Sequence, residues 1–179
     1  IEVDEFLAPT SDLIALMTFE HQTQMINLLT RIGWEARLAD HDGLLDVVET
    51  QARWAGVEEI VRYMLFVDET PLTEEIEGVS SFTETFEARG PHDSQGRSLR
   101  DFDLRSRLFR YPLSFMIYSD LFDGLPDVIK EPVYERLFEV LSADQGVDGF
   151  DALSPADRHT IVAIVRDTKM ELPDYWTAE

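Results

Sequence analysis

The chain contains no cysteine among its 179 residues. Disulfide bonds, thiol catalysis, iron–sulfur clusters and zinc sites that use cysteine are therefore excluded within this chain. Covalent attachment of a c-type haem is excluded as well, because that linkage requires cysteine side chains. Without cysteine, the sequence also carries no redox signal that would indicate a cellular compartment.

Long apolar runs are absent too. The apolar stretch at residues 13–19 is short and broken by a polar side chain, whereas a membrane span needs roughly 20 apolar residues. We therefore expect no membrane insertion. Apolar residues still make up 44% of the chain and aromatic residues 11%, so the chain can bury a core and does not resemble a disordered segment.

Lysine is scarce, since Lys130 and Lys169 are the only two among 15 cationic side chains. Against 36 acidic residues this leaves a net charge of −21. Such a surface repels nucleic acid and favours cationic partners or a saline environment, so nucleic-acid binding is not expected. The bias towards arginine and acidic residues fits either a GC-rich genome or a halophilic host.

Apolar residues recur at helical spacing through most of the chain, which predicts an all-α fold. The spacing over residues 13–38 predicts one long helix, which Ser11 or Asp12 can cap. A turn at residues 41–43 precedes a second helical pattern over about residues 44–66. Because the loop is short, we expect an antiparallel αα-hairpin within an irregular helical bundle.

The chain before and after this hairpin is less regular. Residues 1–10 are expected to form an extended lead-in, and residues 67–104 a long, loop-rich central segment. A short helix is predicted near residues 78–86. Ser98 and Asp101 have the spacing of a capping box, which predicts the start of another helix.

Three further helical signals follow. Pro112 is expected to divide residues 102–122 into two short helices, and another helix is predicted over about residues 132–141. Ser154 followed by Pro155 predicts the start of a last helix. We expect one domain over residues 1–179, and, because residue 1 is not methionine, one that belongs to a longer protein.

His21 is the candidate ligand for a metal ion or for haem iron. Met17, His21 and Met25 are spaced by four, so they share one face of the first helix, and thioethers and imidazole suit Cu(I) or haem iron. One helix cannot supply ligands to both faces of a haem, so a second ligand would come from elsewhere. The alternative is a core histidine bonded to a neighbouring helix, with methionines filling gaps.

Arginine is concentrated in residues 89–110, which carry a net charge of +3 while the rest of the chain carries −24. The six arginines are Arg89, Arg97, Arg100, Arg105, Arg107 and Arg110. They could bind an anionic ligand, haem propionates or an acidic partner, because arginine pairs with carboxylates and phosphates through two parallel hydrogen bonds. They could equally pair with the chain's own carboxylates. The adjoining Tyr111 could line a pocket or belong to the core.

Two stretches and the C-terminal Arg166–Lys169 carry a family resemblance. Residues 11–31 and residues 96–119 resemble the C-terminal region of a group of large, uncharacterised, exported bacterial proteins with a cytochrome-like character. The resemblance covers about residues 10–175. It implies a helical module of a larger periplasmic, haem-bearing protein of electron transport, with any c-type haem attached outside this chain.

Three functions follow as hypotheses. The first is an auxiliary domain of an exported redox protein that packs against, or ligates, a haem outside this chain, with His21, Met25, Arg107, Arg110 and Tyr111 as the cofactor contacts. The second is a protein-interaction module that docks through segment 89–122. The third is a metal- or ligand-binding helical-bundle enzyme centred on His21.

Overall fold

The computed structural model describes residues 11–44 and 52–177. Over these ranges the chain forms seven α-helices, one 3-10 helix and no strand, apart from an isolated bridge between Phe102 and Phe109. In chain order, the elements are α1 (Leu13–His41), α2 (Ala52–Met64), α3 (Phe82–Ala88), the 3-10 helix (Phe115–Tyr118), α4 (Asp120–Asp123), α5 (Asp127–Ser142), α6 (Pro155–Thr168) and α7 (Asp174–Thr177). The all-α prediction is confirmed. The predicted extended lead-in lies outside the described residues.

Helix α1 begins where Asp12 caps it. The Asp12 carboxylate accepts hydrogen bonds from the backbone N–H groups of Ile14 and Ala15, at 3.0 and 3.2 Å. Such bonds satisfy N–H groups that have no partner inside the helix. The predicted long N-terminal helix is confirmed, and it continues for 29 residues to His41.

Helices α1 and α2 form the predicted antiparallel pair. Ile32 near the C-terminal end of α1 lies against Gly56 early in α2, where an added Cβ atom would come within 3.3 Å of the isoleucine. His21, earlier in α1, stacks on Tyr63 at the end of α2. The contacts run in opposite directions along the two helices, which confirms the hairpin. Residues 45–51 lie outside the described part of the chain.

Helix α5 packs against both α2 and α6 at the centre of the bundle. It begins at Asp127, five residues before the predicted start, and contains Pro132 in its second turn. Proline there removes one backbone hydrogen bond, and burial of Val133 and Leu137 on the same helix offsets the loss. The start of α6 is confirmed, because Ser154 Oγ accepts the Asp157 N–H at 3.0 Å.

The helix predicted to start at Ser98 and the first of the two helices predicted within residues 102–122 are wrong, whereas the part after Pro112 contains the 3-10 helix and α4. The capping-box contact forms, since Asp101 Oδ2 accepts the Ser98 N–H at 3.1 Å, yet no helix follows it. The reason is a tight turn, in which Asp103 accepts backbone N–H groups from Ser106 and Arg107. Leu104 has φ of 61° in this turn, a left-handed conformation that a helix cannot contain.

The core gathers apolar side chains from helices α1, α2, α5 and α6, from the irregular segment before the 3-10 helix and from Trp176 of α7. Among the largest fully buried side chains are Trp176, Phe109, Phe122, Met25 and Met64. Within residues 11–44 and 52–177, no helix combines the length and the apolarity that crossing a membrane requires. The irregular segment therefore packs against the helices, and its residues Phe109 and Phe115 lie near His21 of α1.

Candidate functional site

His21 lies at the centre of an aromatic cluster. Its ring stacks on Tyr63 with centroids 5.2 Å apart and on Phe66 at 4.5 Å. The rings of Phe109 and Phe115 lie at 6.1 and 5.9 Å. Only 6% of His21 is exposed. The cluster therefore joins α1, the end of α2 and the irregular segment around one imidazole.

A buried hydrogen bond holds the imidazole in place. His21 Nε2 lies 2.7 Å from Ser114 Oγ, and the same oxygen accepts the Met116 N–H at 3.2 Å as the cap of the 3-10 helix. Whether Ser114 Oγ or His21 Nε2 donates in this bond depends on the tautomer of the imidazole, and either arrangement ties the ring to Ser114. Burial lowers the pKa of His21 to about 4, so the ring is neutral at pH 7.

The His21–Ser114 pair is structural and is not a nucleophilic dyad. Ser114 is 0% exposed, and its oxygen already accepts a backbone N–H. A substrate could not approach this hydroxyl, and a serine nucleophile must be in reach of the carbonyl it attacks. At Nε2, His21 therefore matches the alternative given above, a core histidine bonded to another part of the fold.

The other side of His21 faces a cleft of about 510 Å³ between α1, α2 and residues 66–70. This volume falls in the range typical of small-molecule sites. Its apolar wall is formed by Met17, Leu28, Tyr63, Phe66, Val67 and Leu108. Four carboxylates also line it, from Glu20, Glu59, Asp68 and Glu69, together with one cation, Arg62.

Two of these carboxylates are neutralised by arginine. Glu59 Oε2 lies 2.7 Å from Arg31, and Asp68 accepts Arg62 through both oxygens at 3.1 and 3.2 Å. Glu20 and Glu69 form no ion pair in the part of the chain that the structure describes. The cleft therefore carries two carboxylates that no direct ion pair of the described residues neutralises, although the charge of Arg107 acts on Glu69.

Glu69 is half-buried, and burial raises the pKa of its carboxyl, although the Leu108 N–H and the charge of Arg107 act in the opposite direction. The nearby Tyr63 phenol also has a raised pKa, because of burial first and then the charges of Glu20 and Glu69. Both carboxylates thus act on the same phenol. Glu20, Glu69 and Tyr63 line the cleft together; Glu69 and the neutral Tyr63 are partly buried, whereas Glu20 is exposed.

The other predicted cofactor contacts lie elsewhere. Met25 is 0% exposed and belongs to the core. Arg107 pairs with Asp157 at 2.8 Å, and Arg110 lies over the Tyr111 ring at 5.5 Å from its centroid. None of these side chains lines the cleft beside His21.

No metal-binding group of three or more histidine, aspartate or glutamate side chains occurs within residues 11–44 and 52–177. Among these residues His21 therefore belongs to no such group, and ligation through Nε2 would require the loss of the Ser114 hydrogen bond. Metal or haem ligation by His21 stays a prediction.

The arginine-rich and aromatic segment divides into paired, unpaired and buried residues. Arg97, Arg105 and Arg107 pair with Asp93, Glu75 and Asp157, as the alternative of internal pairing expects. Arg89, Arg100 and Arg110 have no carboxylate partner among the described residues. The aromatic rings of the segment that pack in the core are Phe109, Tyr111, Phe115 and Phe122.

Sequence reasoning selected His21 but missed Tyr63, Phe66 and Glu69. The helical pattern predicts a second helix over about residues 44–66, with Tyr63 in its last turn and Phe66 at its end. Helix α2 ends at Met64, and Phe66 turns into a left-handed conformation with φ of 53°. The available signal was the polar run Asp68–Thr70 directly after the helical pattern, which indicates a loop beside that helix end.

No protein-family profile, curated protein or solved structure matches this chain. The resemblance to exported, cytochrome-like proteins therefore stays a prediction. The cleft, its charges and its aromatic wall are the features that bear on function.

Proposed function

We propose that this chain is a binding module for a small organic cation, held in the cleft beside His21. The observation that carries the proposal is a pair of carboxylates without an ion-pair partner among the described residues, Glu20 and Glu69, which line an aromatic cleft of about 510 Å³ and both act on Tyr63. The proposal refines the ligand-binding hypothesis that centres on His21. It requires no catalytic step.

The charge of the cleft selects the sign of the ligand. Partial burial of the Glu69 carboxylate is unfavourable without a close counter-charge, as its raised pKa shows, and the exposed Glu20 adds a second negative charge to the same cleft. An ammonium group between Glu20 and Glu69 would relieve this cost. His21 does not oppose such a ligand, because its low pKa leaves it neutral.

The aromatic wall selects the body of the ligand. Tyr63 and Phe66 stack on His21 and line the cleft together with it. A cation near the face of such a ring gains roughly 0.5–2 kcal/mol. An amine or quaternary ammonium with an apolar or aromatic substituent therefore fits the wall better than a hydrated metal ion.

The test is titration of the full chain with benzyltrimethylammonium by isothermal titration calorimetry. We expect saturable binding with one site per chain, and a loss of affinity of about tenfold in Glu69→Gln, because one charge-assisted contact is removed. Benzyl alcohol, a neutral aromatic probe, should bind much more weakly than the cation.

The matched control is Glu77→Gln, at an exposed glutamate that does not line the cleft. It changes the net charge by the same amount, so it measures general attraction of cations to an acidic chain. Equal losses of affinity in the two variants, or no saturable binding to the wild type, would contradict the proposal.

The redox hypothesis has its own separate test. A visible absorption spectrum of the native protein with a Soret band would support a haem near this domain. A spectrum without that band would remove the cofactor from the hypothesis. Export to the periplasm likewise stays a prediction.

A further inference from the structure

A second cavity, of about 270 Å³, lies on a different face of α1 from the cleft. It is bounded by α1, α3 and the segment around residues 100–115. Its character comes from four phenylalanines and two arginines, Phe19, Phe82, Phe86, Phe115, Arg89 and Arg100. In contrast to the cleft, it has no carboxylate in its lining.

Arg100 is built into this cavity. Its guanidinium carbon lies 4.8 Å from the centroid of the Phe86 ring and 5.3 Å from that of Phe115. The Nε atom is buried and has no hydrogen-bond partner. Gly90 makes room for the side chain, because a Cβ atom there would lie 3.1 Å from Arg100 Cδ.

Arg89 supplies a second positive charge to the same cavity. It follows directly after α3 and is exposed. In residues 11–44 and 52–177 neither Arg89 nor Arg100 has a carboxylate partner. Burial, and after it the charge of Arg89, lowers the pKa of Arg100.

Two neighbouring arginines without a carboxylate partner among the described residues are unusual in a chain as acidic as this one. The chain has 36 acidic residues and a net charge of −21, and three arginines of the same segment pair with carboxylates. Two adjacent guanidinium groups repel each other, and an anion between them would remove that repulsion. The cavity is therefore complementary to an anion.

We propose that this second cavity binds an organic carboxylate, with its carboxylate between Arg89 and Arg100 and its aromatic body against the phenylalanines. The rings of Phe86 and Phe115 lie close to the Arg100 guanidinium, and its fork of N–H donors matches the two oxygens of a carboxylate. The apolar body of such a ligand would cover the ring of Phe19, which is 67% exposed. A fully hydrated dianion would gain nothing from these walls.

This inference is independent of the proposed function, because the two cavities share no lining residue and attract opposite charges. Failure of the cation titration leaves the carboxylate site untouched. Failure of the carboxylate titration likewise leaves the cleft untouched.

The experiment is calorimetric titration of the full chain with 3-phenylpropionate, with 3-phenylpropanol and inorganic phosphate as comparison probes. We expect saturable binding of the carboxylate with one site per chain, and affinity about tenfold lower in both Arg89→Gln and Arg100→Gln. Arg110→Gln is the matched control, since Arg110 is exposed, lacks a carboxylate partner among the described residues and lies outside the cavity.

Arg89→Gln decides the test if Arg100→Gln fails to fold, because Arg89 is exposed at the end of α3. Affinity unchanged in Arg89→Gln, an equal loss in Arg110→Gln, or no saturable binding of 3-phenylpropionate would overturn the proposal. Tighter binding of phosphate, or equal binding of the neutral alcohol, would overturn the assignment to a carboxylate.

Discussion

His21 on α1 and Ser114, which lies 93 positions later in the chain, share a buried hydrogen bond of 2.7 Å. Ser114→Ala removes the partner of Nε2 and the cap of the 3-10 helix together. We expect the free energy of unfolding to fall by about 2–3 kcal/mol, since a buried ring nitrogen loses its partner and a cap is lost. Urea denaturation monitored by circular dichroism measures the change.

Ser119→Ala is the control for this comparison. Ser119 also caps a helix, accepting the Phe122 N–H at 3.2 Å, but its hydroxyl donates to the Met116 carbonyl at 2.6 Å instead of pairing with a histidine. Its loss should cost about 1–2 kcal/mol. If both variants lose the same amount, the bond to the His21 ring contributes no more than this bond to a backbone carbonyl.

Protonation of His21 should contribute to the pH dependence of the free energy of unfolding. Its pKa is about 4 in the folded protein and near 6.5 when unfolded, so the unfolded state binds more protons between these values. Stability is then fully present above about pH 6.5 and declines as the pH falls towards 4. The total loss is about 3 kcal/mol, because one pKa unit corresponds to about 1.4 kcal/mol.

Urea unfolding at pH 7 and at pH 5 compares the wild type with His21→Gln, whose side chain is neutral at both values. Carboxylates such as Glu69 titrate in both proteins, so the difference between the two pH slopes isolates the imidazole. Identical slopes would show that His21 does not titrate differently in the folded and unfolded states.

The ion pair between Arg107 and Asp157 should stabilise the fold more than a surface pair does. Its side chains are 27% and 19% exposed, against 74% and 58% for Arg105 and Glu75. Although burial opposes it, hydrogen bonds from Arg107 and Ser154 lower the pKa of Asp157. A double-mutant cycle with Arg107→Gln and Asp157→Asn should give a coupling energy of about 1–2 kcal/mol.

The same cycle on Arg105 and Glu75 should give less than about 0.5 kcal/mol, as exposed pairs usually do. Coupling energies that match within error would contradict the idea that partial burial strengthens the Arg107 pair.

Gly90→Ala should be destabilising because no space exists for the methyl group. A Cβ atom at Gly90 would lie 2.4 Å from Ser98 Oγ, well inside contact distance. We expect a loss of about 1–3 kcal/mol in thermal or urea unfolding. Gly146→Ala is the control, since nothing lies within 4 Å of its Cβ position, and a loss of similar size there would refute the steric explanation.

Glu69→Gln should raise stability slightly while it weakens binding of the cation. Burial raises the pKa of Glu69, which means that its ionised form is less favourable in the folded state than in the unfolded state. After screening by solvent, the gain at pH 7 should be about 0.5 kcal/mol. Unfolding at pH 7 measures it, and a clearly less stable variant would show that the carboxylate is not under strain.

The sequence predicted those parts of the fold that local signals determine. The cap at Asp12, the helical spacing after it and the Ser154–Pro155 start of α6 act within a few residues, and the structure confirms them. The helix predictions for the irregular segment were wrong because the chain turns there. Asp103 accepts hydrogen bonds from the backbone, and Leu104 takes a left-handed conformation. No hydrophobic period encodes such a turn.

The site was predictable only in part for the same reason. His21 could be selected from the spacing of side chains on α1, but its partner Ser114 comes from a distant segment. Glu69 belongs to no sequence motif, and it lines the cleft because α2 ends a few residues before it. Charges and rings from separate segments meet only through tertiary packing, which one sequence does not display.

Phe66 has a consequence for the speed of ligand capture. Its backbone is held at φ of 53°, where a bulky side chain is strained, while its ring stacks on His21 in the wall of the cleft. For the proposed function we expect this wall to be formed before the ligand arrives, so that binding orders no loop. Association with the cleft should then show a single kinetic phase whose rate rises linearly with ligand concentration.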